Sequence, residues 1–89
     1  MGPVAQYLHD QLIETFSPDH LEVVNESHLH AGHHGHDGSG ESHLRIRIVA
    51  EAFKTMNRVN RHRAVYDIVQ PKIDEGIHAC AIEVKATGE

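Results

Sequence analysis

The stretch His43-Leu44-Arg45-Ile46-Arg47-Ile48-Val49-Ala50 decides how the rest of the chain is read. Leu44, Ile46 and Ile48 alternate with His43, Arg45 and Arg47, the period of a strand with one face on a core and the other toward water. Glu51 to about Gln70 then reads as helical, a short piece followed by a longer one. A break is expected near Lys54 to Asn57, where Asn57 or Asn60 suits a helix N-cap. Val59, His62, Tyr66 and Val69 are the expected apolar stripe. Pro71 is expected to end or kink the helix, and Gly76 to supply a turn. Ile77 to Lys85 is a second strand, with His78, Cys80, Ile82 and Val84 set against Ala79, Ala81, Glu83 and Lys85. A helical crossover of that length normally returns a strand parallel to the one before it. The strands from His43 and from Ile77 therefore start at one end of the sheet, and His78 belongs to that end.

Upstream, Pro3 to about Phe16 reads as a helix. Pro3 suits its first position, and Val4, Leu8, Leu12 and Phe16, flanked by Ala5 and Ile13, form an apolar stripe. Ser17-Pro18-Asp19 stops it. His20 to Ser27 is a strand with Leu21, Val23 and Asn25 on one face and Glu22, Val24 and Glu26 on the other. From about Leu29 to Ser42 the chain carries four of its seven glycines and reads as a flexible His- and Gly-rich loop joining two hairpin strands. The expected fold class is α+β in the order α-β-β-α-α-β, a three-stranded mixed sheet with helices packed on it, in one domain over residues 1–89.

The chain has 89 residues, with 8 Lys+Arg, 13 Asp+Glu and 10 His. This length excludes a (β/α)₈ barrel or a full dinucleotide-binding fold. The formal net charge of −5 argues against indiscriminate binding to a phosphate backbone, though not against a local basic patch. One cysteine makes no internal disulfide and is compatible with a reducing compartment. There is no secretory leader and no apolar run approaching about 18 residues. The expectation is a cytoplasmic protein with no membrane partner, monomeric or homodimeric when alone.

Histidine is the compositional outlier. Six of the ten (His28, His30, His33, His34, His36 and His43) fall in one sixteen-residue window. Imidazole is a borderline ligand suited to Zn, Cu, Ni and Fe. The plain reading of His33, His34 and His36 is a solvated loop with incidental metal affinity, and the spacing matches no closed zinc site. A strand-opening His such as His78 is by itself as well explained as a structural residue. Its closeness to the loop, with His30 and His43, makes metal or proton chemistry the competing reading. Between Ala52 and Tyr66 there is no acidic residue, while Lys54, Arg58, Arg61 and Arg63 bring +4, which suits phosphates or merely a solvated helix face. Arg45 and Arg47 face Glu22 and Glu26 and are expected to pair with them. Cys80 is expected to be buried and inert. No phosphate loop, nucleophile elbow or HExxH pattern is present, so the chain is not expected to be an enzyme.

Four stretches, Leu21-Glu22-Val23-Val24-Asn25-Glu26-Ser27, Gly40-Glu41-Ser42-His43, Arg61-His62-Arg63-x-Val65-Tyr66 and Ile77-His78-Ala79-Cys80-Ala81-Ile82, together resemble the BolA family from about Leu8 to Lys85. The resemblance implies a fold similar to the type II KH topology. It implies a monothiol glutaredoxin as partner, sharing a [2Fe-2S] cluster that neither holds alone. The partner brings a cysteine, bound glutathione a second thiolate, and the BolA-like chain two side chains. One is the His that opens the last strand, here His78. The other comes from the loop and falls on His30, with His28, His33, His34 and His43 as rivals. Two imidazoles in place of thiolates leave such a cluster less negative and raise its potential, which suits iron–sulfur trafficking or iron-linked regulation. The family's second theme is transcription regulation through DNA, which Lys54, Arg58, Arg61 and Arg63 would carry. The GXXG loop of KH domains is replaced here by Lys54-Thr55-Met56-Asn57, and the family's longer C-terminal tail is not present in these 89 residues.

Overall fold

Helix α1 (Pro3–Phe16) opens with proline at its N-terminus and buries Ala5, Leu8 and Leu12. It ends where Ser17 takes a left-handed conformation (φ 46°) and returns its N–H to the Ile13 carbonyl at 2.9 Å. Strand β1 (His20–Asn25) and strand β2 (His43–Ala50) follow, then a 3-10 turn (Glu51–Thr55), helix α2 (Arg58–Asp74) and strand β3 (Ala79–Ala86). The computed structural model describes residues 2–26 and 43–89; the expected loop therefore lies outside the described residues.

The sheet order is β1-β2-β3. β1 is antiparallel to β2, with Leu21 opposite Ile48 and Val23 opposite Ile46. β3 is parallel to β2, with His43 opposite Ala79 and Ile46 opposite Ile82. This is the mixed three-stranded sheet expected from the crossover. Leu44, Ile46, Ile48 and Ala50 face one way and join Leu8, Leu12, Phe53, Val65, Val69, Ile77 and Ala86 in one core cluster. Both helices thus cover the same face. Phe53 is wholly buried and anchors the 3-10 turn, with its ring centroid 4.8 Å from that of Phe16. Such a tilted pair adds about 0.5–1.5 kcal/mol beyond the area it removes from water. The other sheet face carries the expected charge pairs. Arg45 meets Glu26 at 3.0 Å, and Arg47 meets Glu83 at 2.6 Å and Glu22 at 3.5 Å.

Four local expectations are corrected. The first of the two later helical pieces is a five-residue 3-10 turn rather than an α-helix. Asn57, one of the two expected candidates, is the cap of α2, its side chain accepting from the Asn60 N–H at 2.8 Å. Pro71 does not end α2, which runs on to Asp74. It sits in the last turn, where its missing N–H forgoes a single intrahelical bond and its carbonyl still accepts from the Glu75 N–H at 3.2 Å. The stripe through Val59, His62 and Tyr66 is not the buried one. Of the expected stripe Val69 alone is fully buried: Val59 is 63% exposed, His62 is exposed and stacks on Tyr66, and Val65 joins Val69 in the core. Both stripes satisfy helical periodicity, and only contact with β3 selects between them. The last strand is also shifted: it starts at Ala79, leaving His78 just ahead of it, and reaches Ala86.

Candidate functional site

The local chain path that delivers His78 starts at the end of α2. Gly76 adopts φ 133°, a region closed to most side chains. Its N–H bonds the Ile73 carbonyl at 3.1 Å, and the Ile77 N–H reaches back to the Lys72 carbonyl at 3.1 Å. These two bonds are the Schellman pair that closes a helix C-terminus on a glycine. Ile77, the next residue, is 5% exposed and belongs to the core cluster. With Ile77 pointing inward, His78 is left on the surface.

The strand register then decides what His78 meets. His43 opens β2 opposite Ala79, so the two histidines come together although 34 residues of chain lie between them. Their ring centroids are 5.8 Å apart and the rings stand edge to face at 87°. The Glu26 N–H bonds the His43 carbonyl at 2.8 Å. Glu26 and His43, which flank residues 27–42 in the chain, therefore stand together at the end of the sheet that also carries His78. His28, His30, His33 and His34 belong to that segment and lie outside the described residues. Two imidazoles are borderline donors that fit iron or zinc. Among the described residues no three His, Cys, Asp or Glu gather as a metal site.

Cys80 does not join these two histidines. Burial pushes its thiol up to about 11, so it stays protonated at neutral pH and is a poor ligand and nucleophile. It packs instead against the core cluster.

The basic residues divide. Arg61, read from sequence as a phosphate contact, is committed to the scaffold. Its Nε donates to the Phe53 carbonyl at 2.9 Å and the Met56 carbonyl at 3.0 Å, tying α2 to the 3-10 turn. Its fork donates to both carboxylate oxygens of Glu89 at 2.6 and 2.8 Å. The Arg61 hydrogen bonds hold the Glu89 carboxyl down at about 2. Lys54 is exposed and 3.7 Å from Glu51. Arg58 and Arg63 are exposed. Sequence spacing does not reveal the role of Arg61, because the carbonyls it serves are backbone groups exposed by the irregular 3-10 turn. No helix among the described residues is long and apolar enough to cross a membrane.

Comparison with known proteins bears on this arrangement. The chain is 53% identical over 87 residues to an uncharacterised Sinorhizobium protein, covering 97% of this chain and 94% of that one. It is 37% identical to SufE-like protein 1 of Arabidopsis thaliana, of whose length it spans 25%. The solved BolA domain of Arabidopsis SufE1 has the same fold, with a TM-score of 0.83 at 36% identity over 98% of this chain and 95% of that one. The DNA-binding transcriptional regulator BolA of Haemophilus influenzae is 35% identical over 81 residues, covering 91% of this chain and 75% of the regulator. The family model for BolA-like proteins matches residues 12–89. With the family model, the fold and the relatives in agreement, this chain belongs to the BolA family.

Proposed function

We propose that this chain is a non-enzymatic iron–sulfur adapter that shares a [2Fe-2S] cluster with a monothiol glutaredoxin. The observation that carries the reading is the pairing of the His78 and His43 rings at the sheet end where Glu26 and His43, which flank residues 27–42 in the chain, stand together. In this reading His78 supplies one imidazole and His30 the other, with His43, His28, His33 and His34 as the competing donors. The partner's cysteine and bound glutathione complete the set with thiolates. Imidazole titrates near neutral pH and is released more readily than thiolate, which suits a cluster handed between proteins. The test is anaerobic co-purification with a monothiol glutaredoxin and glutathione, read by visible absorption of the cluster. His78→Ala should lose or shift the spectrum, and His9→Ala, on helix α1, should leave it unchanged. An unaltered spectrum in both His30→Ala and His78→Ala ends the proposal.

The Haemophilus relative supports a second reading, a DNA-binding regulator of transcription. Here Lys54, Arg58 and Arg63 are the side chains available to phosphates, while Arg61 acts through the fold. Charge reversal at Arg58 and Arg63 should then abolish sequence-specific binding, and affinity should fall steeply with salt. Unchanged DNA affinity in those variants removes this reading.

A further inference from the structure

The edge of β3 lies along a cleft of about 490 Å³ whose far wall is the N-terminal half of α2. Four consecutive strand residues, Ile82 to Lys85, line one side, and Arg58, Arg61 and His62 the other. Consecutive lining means that the strand presents its backbone edge to the cleft, and β3 pairs with β2 alone among the described residues. The direction of its free groups can be read from Ala86. The Ala86 N–H donates to the Glu89 carboxylate at 3.1 Å, and its carbonyl accepts from the Glu89 N–H at 3.1 Å. Both polar groups of Ala86 therefore point away from β2. A strand alternates with period two, so those of Val84 and Ile82 point the same way, into the cleft.

The charges at the cleft say what would add there. Arg58 and Lys85 line it and make no close ion pair among the described residues, Arg58 acting on Glu89 only from a distance. Glu83 is already held by Arg47, and Glu89 by Arg61. Glu89 also shows the recognition in miniature: one carboxylate takes a strand-edge N–H and an arginine fork together. No Phe, Tyr or Trp lines the cleft, its one imidazole, His62, is already stacked on Tyr66, and two carboxylates border it, which disfavours a nucleic-acid strand.

We propose that this cleft takes an extended acidic peptide from a partner protein, added as a fourth strand alongside β3. Main-chain bonds to Val84 and Ile82 provide the affinity common to strand addition, and Arg58 and Lys85 select carboxylates. The proposal is independent of cluster sharing, since the cleft and the His43–His78 rim involve different residues.

The probe is a fluorescein-labelled nine-residue peptide alternating valine and glutamate, with a lysine-for-glutamate peptide as counterpart, titrated by anisotropy at low ionic strength. The glutamate peptide should bind about tenfold or more tightly than its counterpart. Arg58→Glu with Lys85→Glu should weaken it about tenfold, both positions being exposed and outside the core. Arg63→Glu, on the same helix but away from the cleft, should leave it unchanged. Amide exchange at Ile82 and Val84 should slow on adding peptide. The proposal is overturned by equal weakening by Arg63→Glu, by no slowing at those two amides, or by tighter binding of oligothymidylate with the same amides slowed. Slowing that grows with protein concentration in the absence of peptide assigns the edge to a second copy of the chain and likewise overturns it.

Discussion

Replacing Ile77 by alanine isolates the contact that sets His78. Ile77 is 5% exposed and touches a core built from both helices and the sheet. Truncating a buried isoleucine removes its transfer free energy and leaves a cavity, typically 2–5 kcal/mol. At this site, on the rim of the core where relaxation is easy, about 3 kcal/mol is expected. An 89-residue domain is stable by about 4–13 kcal/mol in all. The loss should therefore lower the urea midpoint by about 2 M for a slope of about 1.5 kcal/mol per molar. Ile77→Val should cost only about 1 kcal/mol. His78→Ala, at an exposed position, should stay within about 0.5 kcal/mol of the parent. Urea unfolding followed by circular dichroism measures all three. If Ile77→Ala unfolds within about 0.5 kcal/mol of the parent, the side chain is not the anchor and the account of how His78 is placed is wrong. The comparison also protects the functional test, because a His78→Ala variant of parental stability loses ligands without losing the fold.

Gly76→Ala should destabilise by about 1–3 kcal/mol, because φ 133° is strained for a side chain. The added Cβ meets nothing within 4 Å, so Gly76→Asn or any other residue should cost a similar amount for the same backbone reason, as urea unfolding can show. The Glu89 carboxyl, held at about 2 by the Arg61 hydrogen bonds, lies below its ordinary 4.5. A depressed folded value stabilises above the unfolded one, so this contribution should be complete above about pH 4.5 and vanish as pH falls toward 2. A carboxyl NMR titration should place Glu89 near 2 and return it toward 4.5 in Arg61→Ala. Cys80, with its thiol raised to about 11, should resist iodoacetamide at pH 8 in the folded protein and react promptly in urea. Fast labelling of the native chain would contradict its burial.

Much of the architecture is legible because it rests on short-range rules. The alternation through Leu44, Ile46 and Ile48 marks β2, Pro3 marks the start of α1, and the length of the crossover makes β3 parallel. From those follow the mixed sheet and the shared end of the strands from His43 and Ile77. What periodicity leaves undetermined is which of two equally helical stripes is buried. Val59, His62, Tyr66 and Val69 fit the pattern as well as Val65 and Val69 do, and Val69 is common to both. Likewise Arg61 reads as one member of a basic run, and its hydrogen bonds to the Phe53 and Met56 carbonyls appear only once the 3-10 turn has exposed those groups.

The amino-acid order alone determines the kinds of element, their succession, and a stock of imidazoles gathered near one hairpin, because backbone propensity and hydrophobic period act over a few residues. The edge-to-face contact of the His43 and His78 rings at that shared end, the diversion of Arg61 from ligand to scaffold, and the open edge of β3 beside α2 are set by strand register and helix rotation. Those depend on contacts between segments tens of residues apart, and no local pattern encodes them.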